Sequence, residues 1–358
     1  MALRLLMLVL DGFSPRHCTR TTTPNLVEIG EAGAWARGGG RAVLPSITYP
    51  NHASLVTGLA PQTHGIVANQ VFTDAGLKPA KDIGARGTTF LDAARAAGLY
   101  TAAMAGDGRI LGVVGAERCA FHWPPGGVLP PDTPMVRGYA ADTVTMASLR
   151  RALDDGVDVA LCQLDNTDGV SHVHGPDSPE ALAQYAAVDM LVGDLIDDLS
   201  DAPRWNETIV AIISDHGQVT ADLDRPPIDI PAALGKAGIE AVWIEDGSCA
   251  LVSTRETTAV RRIVAELDGM ADIEDYAPDM LYAHSVPGRH FNTRNSPTRG
   301  VHGCRASSPT LCLATGGHPG LSALRQAFAR DVPTTAMLPR LLADAIGLTW
   351  RTLRAAKS

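Results

Sequence analysis

The sequence has few of the features that mark a disulfide-bonded module, a nucleic-acid binder or a membrane protein. Its 358 residues include six cysteines and no C-x-x-C pair. Because this density is too low for a disulfide scaffold, we interpret the cysteines as reduced thiols. Positive charge is not in excess, since the formal net charge is −9, and a dedicated nucleic-acid binder is therefore disfavoured. No apolar run approaches the roughly 20 residues that a membrane helix needs.

The N-terminus lacks the features of an export signal. A single basic residue, Arg4, precedes an apolar run of only six residues, and no small-residue cleavage site follows before Asp11. Secretory signals combine a basic start, a longer apolar segment and such a cleavage site. We therefore expect a cytoplasmic protein with no membrane partner, and the sequence makes no prediction about its oligomeric state.

The composition is typical of a globular enzyme, because 45% of the residues are hydrophobic and only 19% are charged. Candidate functional residues run from position 11 to position 302 and must converge in space, so we predict one catalytic domain over residues 1–358. Two segments rich in glycine and proline interrupt the regular pattern. Because long loops are commonly functional, we expect an insert or lid at 106–138 and a long loop at 276–300.

Apolar runs of strand length alternate with segments of helical pattern along the chain. Strands are predicted at 5–10, 99–104, 157–164, 208–214 and 310–314. Helices are predicted at roughly 50–58, 88–97, 140–154, 178–200, 255–268 and 334–346. This alternation indicates an α/β fold whose central sheet is mostly parallel and is covered by helices on both faces.

Carboxylate and imidazole side chains follow several of the predicted strands. These residues are Asp11, Asp168, His172, Asp215, His216 and His302. Because the ligands of α/β enzymes collect at the carboxyl ends of parallel strands, we expect these side chains to converge. Oxygen and nitrogen ligands of this kind suit zinc, and they also accept manganese or iron. Three carboxylates and three imidazoles are enough to hold two metal ions.

A hydroxyl group precedes a predicted helix in the segment Pro45-Ser-Ile-Thr-Tyr-Pro-Asn-His52. Thr48 stands before a proline that can open the helix, where unpaired N–H groups and the helix dipole favour an alkoxide or a phosphoryl oxygen. The alternative is that Thr48 only caps the helix. Asp168 and His172, four residues apart in a predicted loop, are also weak evidence alone, because such residues often stabilise turns.

The order of these motifs carries more information than any one of them. Thr48-Tyr-Pro-Asn-His52, Val56-Thr-Gly-Leu59 and Asn69 are followed by Asp168-x-x-x-His172, Ser214-Asp-His-Gly217 and Gly300-x-His-Gly303. In this order the chain resembles the alkaline phosphatase superfamily, and within it the type I phosphodiesterase and nucleotide pyrophosphatase branch. The resemblance is most specific over 1–70 and 158–317, and it implies the α/β/α sandwich of that superfamily.

The resemblance also implies a role for each residue of the pattern. One zinc ion would be held by Asp168, His172 and His302, and a second by Asp11, Thr48, Asp215 and His216. The deprotonated Thr48 hydroxyl would attack phosphorus, and water would then hydrolyse the phosphothreonine. Asn69 would stabilise a non-bridging oxygen of the substrate, a small-molecule phosphodiester or phosphonate. Tyr49 would supply an aromatic wall for an organic substituent.

The departures from the family pattern concern the substrate. Nucleotide-hydrolysing members have a tyrosine five residues before the aspartate that matches Asp168, and this chain has Gln163 there. Without that second aromatic face, we expect nucleoside-bearing diesters to gain little over simple aryl diesters.

Three alternative functions follow from the same residues. A phosphonate hydrolase of the phosphonoacetate-cleaving type would share the metals and the threonine, and would hold the substrate carboxylate with Lys78, Lys81, Arg109 or Arg137. A phosphosugar mutase would need a large separate cap, for which the chain has no obvious room. An inactive protein that only recognises a phosphorylated partner would be expected to lack a ligand or the nucleophile, and none is missing.

Overall fold

A computed structural model describes residues 4–291, 293 and 298–350. Its largest sheet is built from β1 (Leu5–Leu10), β2 (Ala34–Trp35), β6 (Thr101–Ala105), β7 (Phe121–Trp123), β10 (Val159–Leu164), β11 (Ile209–Ile213) and β19 (Cys312–Thr315). The order of these seven strands is β2-β19-β11-β1-β10-β6-β7. Only β19 runs against the others, so the sheet is mostly parallel, as predicted.

Helices cover both faces of this central sheet, because alternate residues of each strand point to opposite sides. In β1, Leu5 and Met7 belong to one hydrophobic core, and Leu6 and Leu8 belong to the other. The first core also includes α2 (Thr48–Thr57), α5 (Phe90–Ala96), α6 (Arg109–Val114), α12 (Leu321–Arg330) and α13 (Leu338–Ala345). The second includes α1 (Pro24–Ala32), α7 (Asp142–Asp154) and α9 (Pro179–Ser200). The predicted α/β/α sandwich is confirmed.

A second, antiparallel sheet was not predicted. It is built from β13 (Val242–Asp246), β14 (Cys249–Ser253), β15 (Met270–Ala277) and β16 (Met280–Ser285) in the order β13-β14-β16-β15. Helices α10 (Ile230–Ala237) and α11 (Thr257–Ala265) share a separate hydrophobic core with this sheet. Residues of the sheet also pack with Ile47, Val67 and Ala68. The second sheet is therefore anchored beside the helix that begins at Thr48.

The remaining elements are short. Two-stranded pairs are formed by β3 (Gly40–Arg41) with β18 (Pro309–Thr310), β4 (Gln70–Thr73) with β5 (Gly76–Pro79), β8 (Met135–Val136) with β9 (Tyr139–Ala140), and β12 (Val219–Thr220) with β17 (Gly300–Val301). Further helices are α3 (Pro61–His64), α4 (Ala80–Ile83) and α8 (Asn166–His174). In the part of the chain that the structure describes, no helix combines the length and apolarity needed to cross a membrane.

The two predicted loops contain regular structure, which corrects the sequence analysis. Segment 106–138 holds α6, β7 and β8, and β7 is an edge strand of the central sheet. Segment 276–300 begins with the end of β15 and the whole of β16, joined by a tight turn at Asp279, whose φ is 57°. The glycines and prolines mark turns between short elements, and several of these glycines have positive φ. Segment 106–138 is therefore not one continuous loop. Residues 286–299 contain no helix or strand where they are described, and residues 292 and 294–297 of the predicted loop lie outside the described part of the chain.

Candidate active site

Three carboxylates and a histidine meet at the carboxyl ends of adjacent strands. Asp11 directly follows β1, Asp168 lies in the first turn of α8 after β10, and Asp215 and His216 come two and three residues after β11. These three strands are neighbours in the sheet and run parallel, so their ends lie at the same edge. All four side chains are buried. The convergence expected from the sequence is found.

Asp168, His172 and His302 form one possible metal-binding group, with one ligand atom from each within 4.8 Å of the others. Nε2 of His172 is 3.2 Å from Oδ2 of Asp168 and 3.2 Å from Nε2 of His302. The prediction of a loop here was wrong, because Asp168 and His172 both lie on α8. Their spacing of four residues places them one turn apart on the same helix face. His302 comes from the chain segment after β17.

Thr48, Asp11 and Asp215 surround the imidazole of His216. Nε2 of His216 lies 3.0 Å from Oγ1 of Thr48, 3.5 Å from Oδ1 of Asp11 and 3.4 Å from Oδ2 of Asp215. Thr48 is the first residue of α2, so its hydroxyl sits at the positive end of the helix dipole. The four residues that the family resemblance assigns to the second ion are therefore brought together.

The hydrogen bonds of two histidines leave the same ring nitrogen free for a metal. Nδ1 of His172 donates to the carbonyl oxygen of Gly300 at 2.7 Å, and Nδ1 of His216 donates to that of Gly217 at 3.1 Å. A carbonyl only accepts, so Nδ1 carries a proton, and Nε2 is the nitrogen that would bind a metal when the ring is neutral. Metal-binding histidines usually have this arrangement, because the carbonyl fixes the ring orientation.

Each carboxylate has one oxygen held by a hydrogen bond. Gln163 donates to Oδ2 of Asp11, Gln218 donates to Oδ1 of Asp168, and the backbone N–H of Gly12 donates to Oδ1 of Asp215. The other oxygens of Asp11 and Asp215 are buried and have no hydrogen-bond partner. Such buried, unpartnered oxygens are costly unless a cation binds them.

The charges of the cluster also favour a bound cation. Among the described residues, the ion-pair partners of Asp11, Asp168 and Asp215 are histidines only. Burial, together with the negative charges of Asp215 and Asp168, raises the pKa of Asp11 well above its ordinary value. Three ionised carboxylates this close are stable only beside strong positive charge. The donor set of carboxylate oxygens and imidazole nitrogens therefore suits divalent ions such as zinc.

A cavity of about 500 Å³ opens above this cluster. Its lining residues are Asp11, Thr48, Tyr49, Asn69, Gln70, Pro79, Lys81, Asp107, Arg109, Tyr139, Asp165, Asp168, His172, Asp246 and His302. The volume is adequate for a small organic phosphate, since ligand pockets typically range over ~300–1,000 Å³. Thr48 is half-buried, and Asn69 is exposed. The predicted nucleophile and the predicted amide donor therefore line the same cavity.

One wall of the cavity is a chain of polar contacts that begins at Tyr49. The Tyr49 hydroxyl donates to Oδ2 of Asp107 at 2.8 Å, and Oδ1 of Asp107 accepts from Nε of Arg109 at 2.7 Å. The backbone N–H of Asp107 donates to Asp165 at 2.8 Å. Burial, followed by the charge of Asp107, raises the pKa of Tyr49, so this ring stays neutral. The expected lid segment thus contributes Asp107 and Arg109 to the cavity, whereas His122 and Trp123 do not line it.

A second aromatic ring lines the cavity, although the sequence, with Gln163, predicted that this ring would be missing. Gln163 lies in β10, is fully buried and hydrogen-bonds Asp11 beneath the cavity. Tyr139, at the start of β9, lines the cavity together with Tyr49. The cavity therefore has two aromatic side chains, and the substitution at position 163 removes neither. No local motif marks Tyr139, because β8 and β9 form only a short hairpin.

Asp246 and Gln218 are further polar residues that the sequence analysis missed. Asp246 ends β13 of the second sheet and lines the cavity. Burial raises its pKa to about 6, although the nearby His172 and His216 act in the opposite direction. Gln218 directly follows Ser214-Asp-His-Gly217, and its place next to that motif is the one signal that could have identified it.

Three further histidines contact protein groups and do not line the cavity. Nδ1 of His52 donates to the backbone carbonyl of Thr48 at 2.9 Å and lies 3.5 Å from Asp215, so it supports the cluster from behind. His64 hydrogen-bonds Ser54, and burial lowers its pKa to about 3, which keeps it neutral. His174 lies 2.7 Å from the guanidinium of Arg137 at the surface.

The fold and the site define an α/β protein with a candidate metal site at the carboxyl edge of its central sheet. The model of one family, "Type I phosphodiesterase / nucleotide pyrophosphatase", matches residues 5–301. The chain therefore belongs to this family, whose members are metal-dependent hydrolases that act on phosphoric ester bonds.

Two relatives illustrate the sequence similarity. The bis(5'-adenosyl)-triphosphatase of Xenopus laevis is 31% identical over 231 residues, which cover 62% of this chain and 48% of the relative. An uncharacterized pyrophosphatase/phosphodiesterase of Schizosaccharomyces pombe is 29% identical over 242 residues, which cover 62% of this chain and 46% of the relative. The matched region thus spans about half the length of each relative.

Two solved structures share the fold. Murine ectonucleotide pyrophosphatase/phosphodiesterase 5 superimposes with a TM-score of 0.75 at 20% identity, covering 99% of this chain and 97% of that structure. The inactive form of the same murine protein, in complex with AMP, gives a TM-score of 0.76. Phosphonoacetate hydrolase of Sinorhizobium meliloti gives 0.69 at 16% identity, covering 91% and 95%. These likenesses concern the architecture.

Proposed function

We propose that this protein is a phosphodiesterase that hydrolyses phosphodiester or phosphonate monoester bonds through a phosphothreonine at Thr48, at a site with two zinc ions. The observation that carries the proposal is the position of Thr48 Oγ1, 3.0 Å from Nε2 of His216, among buried carboxylate oxygens that have no hydrogen-bond partner. A threonine that only caps a helix would not require buried carboxylates and an imidazole beside its hydroxyl. Of the alternatives, an inactive binding protein has the least support, because no residue of the cluster is lost.

Each group of ligands has a defined place in this proposal. Asp168, His172 and His302 hold one ion, and Asp11, Asp215, His216 and the Thr48 oxygen hold the other. Bound there, two zinc ions would lower the pKa of the Thr48 hydroxyl and stabilise the charges of the attacking and leaving oxygens. Manganese or iron are accepted by the same ligand types.

The chain's own residues then perform the reaction in two displacements. Oγ1 of Thr48 forms a bond to phosphorus as the bond to the leaving alcohol breaks, and water later cleaves the phosphothreonine to release the product. During both steps, Asn69 donates to a non-bridging oxygen on which negative charge accumulates. The helix dipole of α2 favours the anionic form of Thr48.

The walls of the cavity support a diester with an organic arm. Tyr49 and Tyr139 offer two rings for such an arm, and Asn69 supplies a neutral donor to the phosphoryl group. Because both rings are present, we propose that nucleoside-bearing diesters are substrates, which replaces the expectation drawn from Gln163. The Xenopus relative, a bis(5'-adenosyl)-triphosphatase by name, supports a substrate of this class.

A phosphonoacetate-type hydrolase is the second candidate, favoured by the cations of the cavity. Lys81 and Arg109 line it, whereas Lys78 and Arg137 do not. Arg109 is paired with Asp107 and Lys81 with Asp82, so either cation would have to exchange its partner to hold a substrate carboxylate. The structural neighbour from Sinorhizobium meliloti is a phosphonoacetate hydrolase.

The test is a comparison of three substrates with zinc-loaded protein. We expect kcat/KM for bis-p-nitrophenyl phosphate to exceed that for p-nitrophenyl phosphate by at least ~10-fold, which equals about 1.4 kcal/mol of transition-state binding. Phosphonoacetate should be cleaved poorly. A preference for the monoester would contradict the diesterase proposal, and efficient release of phosphate from phosphonoacetate would favour the second candidate.

The cytoplasmic location is also part of the proposal. It is supported by the described cysteines, which are all free thiols as in proteins of reducing compartments.

A further inference from the structure

The tip of the β13–β14 hairpin is held against the segment that carries His302. Gly247 has a φ of 54°, and a Cβ at this position would lie 2.8 Å from the carbonyl oxygen of His302. Both the positive φ and the close approach therefore require glycine. Ser248 donates to the same carbonyl from its backbone nitrogen at 2.8 Å and from its hydroxyl at 2.7 Å. The hairpin tip thus has a defined position beside a candidate metal ligand.

Asp246, immediately before this tip, contacts the predicted oxyanion donor. Its Oδ2 accepts a hydrogen bond from Nδ2 of Asn69 at 2.9 Å, and both residues line the cavity. They are 177 residues apart in the chain. Asn69 directly precedes β4, whereas Asp246 belongs to the second sheet. The contact therefore depends on how the second sheet packs beside α2.

The chemistry of this contact determines which way the amide of Asn69 faces. An asparagine has an NH2 group with two donors and a carbonyl oxygen that accepts, whereas a carboxylate only accepts. Asp246 therefore binds the NH2 group and leaves its second hydrogen free. If the amide rotated by 180°, its carbonyl oxygen would face the carboxylate without a hydrogen between them, which is unfavourable.

We propose that Asp246 is a positioning residue for Asn69, which it orients so that the NH2 group and not the carbonyl faces the non-bridging oxygen of the substrate. The negative charge of Asp246 at the cavity wall also disfavours a doubly charged phosphate monoester relative to a singly charged diester. This inference rests on the proposed phosphodiesterase function and on the role given there to Asn69.

The first experiment compares three variants with the zinc-loaded protein on bis-p-nitrophenyl phosphate. Asn69→Ala should lower kcat by ~10²–10³-fold, the usual effect of removing one oxyanion donor. Asp246→Ala should lower kcat by at least ~10-fold, mainly without a change in KM, because the amide remains but loses its orientation. Asp246→Asn keeps an acceptor oxygen and should recover part of the rate. Both Asp246 variants should also raise the relative rate on p-nitrophenyl phosphate.

A double-mutant cycle separates positioning from a general structural effect. In an Asn69→Ala background, Asp246→Ala should change kcat by less than ~2-fold, because the group that it positions is gone. Asp279→Asn is the matched control, since it makes the same substitution in a turn at the opposite end of the second sheet. Asparagine tolerates the positive φ of that position. Rate, zinc content and unfolding temperature of this control should match those of the unmodified protein.

The possible outcomes distinguish the inference from the proposed function. If Asp246→Ala slows the reaction equally with and without Asn69, Asp246 does not act through Asn69 and the inference is wrong. If Asn69→Ala slows turnover but neither Asp246 variant does, the inference alone fails. If Asn69→Ala itself has no effect, the role proposed for Asn69 fails first. Should Asp246→Ala fail to fold, Asp246→Asn decides by its effect on kcat and on the ester preference.

Discussion

The floor of the cavity and its walls are built in different ways. The floor consists of buried side chains at the ends of central-sheet strands, such as Asp11 and Asp215, and hydrogen bonds hold them from below. The walls come from short hairpins and from the second sheet, and they carry Asn69, Tyr139 and Asp246, which are partly accessible to solvent. A rigid floor suits the chemical step, and less constrained walls suit the choice of ester.

The floor and the walls of the cavity differ in how strongly each residue depends on the side chains around it. A buried carboxylate that loses its partner costs several kcal/mol, so the floor residues form an interdependent unit. A wall residue contacts solvent as well as substrate, and replacing it changes a few contacts only. Substitutions in the floor should therefore abolish function, whereas those in the walls should change the ester preference and, at Asn69 and Asp246, lower kcat without destroying the metal site.

The largest effect is expected at the nucleophile. Thr48→Ala should lower kcat by at least ~10³-fold because no hydroxyl remains to attack phosphorus, whereas Thr48→Ser should keep a measurable rate. Steady-state kinetics on bis-p-nitrophenyl phosphate measures both. Thr57→Ser, at the other end of the same helix, is the control and should retain normal turnover. A Thr48→Ala protein with unchanged kcat would eliminate the covalent route.

A smaller effect is expected at Gln218, which supports a candidate metal ligand from beneath the cavity floor. Gln218→Met preserves the size of the side chain and removes the donor to Asp168, so zinc affinity should fall by ~10–100-fold, as is usual for residues that support metal ligands. Competition with a chelator measures that affinity. Gln184→Met serves as the control, since Gln184 bonds Asp142 outside the cluster. Equal zinc affinity in the two variants would show that Gln218 does not support the site.

The smallest effect is expected at the aromatic wall. Tyr139→Ala should raise KM for thymidine 5'-p-nitrophenyl phosphate by up to ~10-fold, because one stacking ring is lost. Methyl p-nitrophenyl phosphate has the same leaving group and no base, so its KM should change little. Tyr139→Phe keeps the ring and should resemble the unmodified protein on both substrates. The same change in KM for both substrates would remove Tyr139 from base recognition.

The strands and the convergence of the candidate metal ligands could be predicted because their signals are local. Each predicted strand and helix has a counterpart whose ends differ by a few residues. Asp11, Asp168 and Asp215 each lie within a few residues of a buried strand, and parallel strands bring their carboxyl ends together whatever the loops do. The prediction of α8 as a loop did not change this outcome, since a spacing of four residues also suits one face of a helix.

The wall residues could not be predicted, because their positions depend on packing between distant segments. Asp246 meets Asn69 only because the second sheet packs beside α2, and no pattern around either residue specifies that contact. Gln163 and Tyr139 show the same dependence on packing. Gln163 lies on a strand face that points beneath the cavity, whereas Tyr139 lies on a short hairpin that reaches into the cavity. The sequence by itself determined the α/β fold and the ligand set, which follow from local periodicity and short motifs. Only the tertiary structure decided which side chains face the substrate, because long-range packing sets the walls of a cavity.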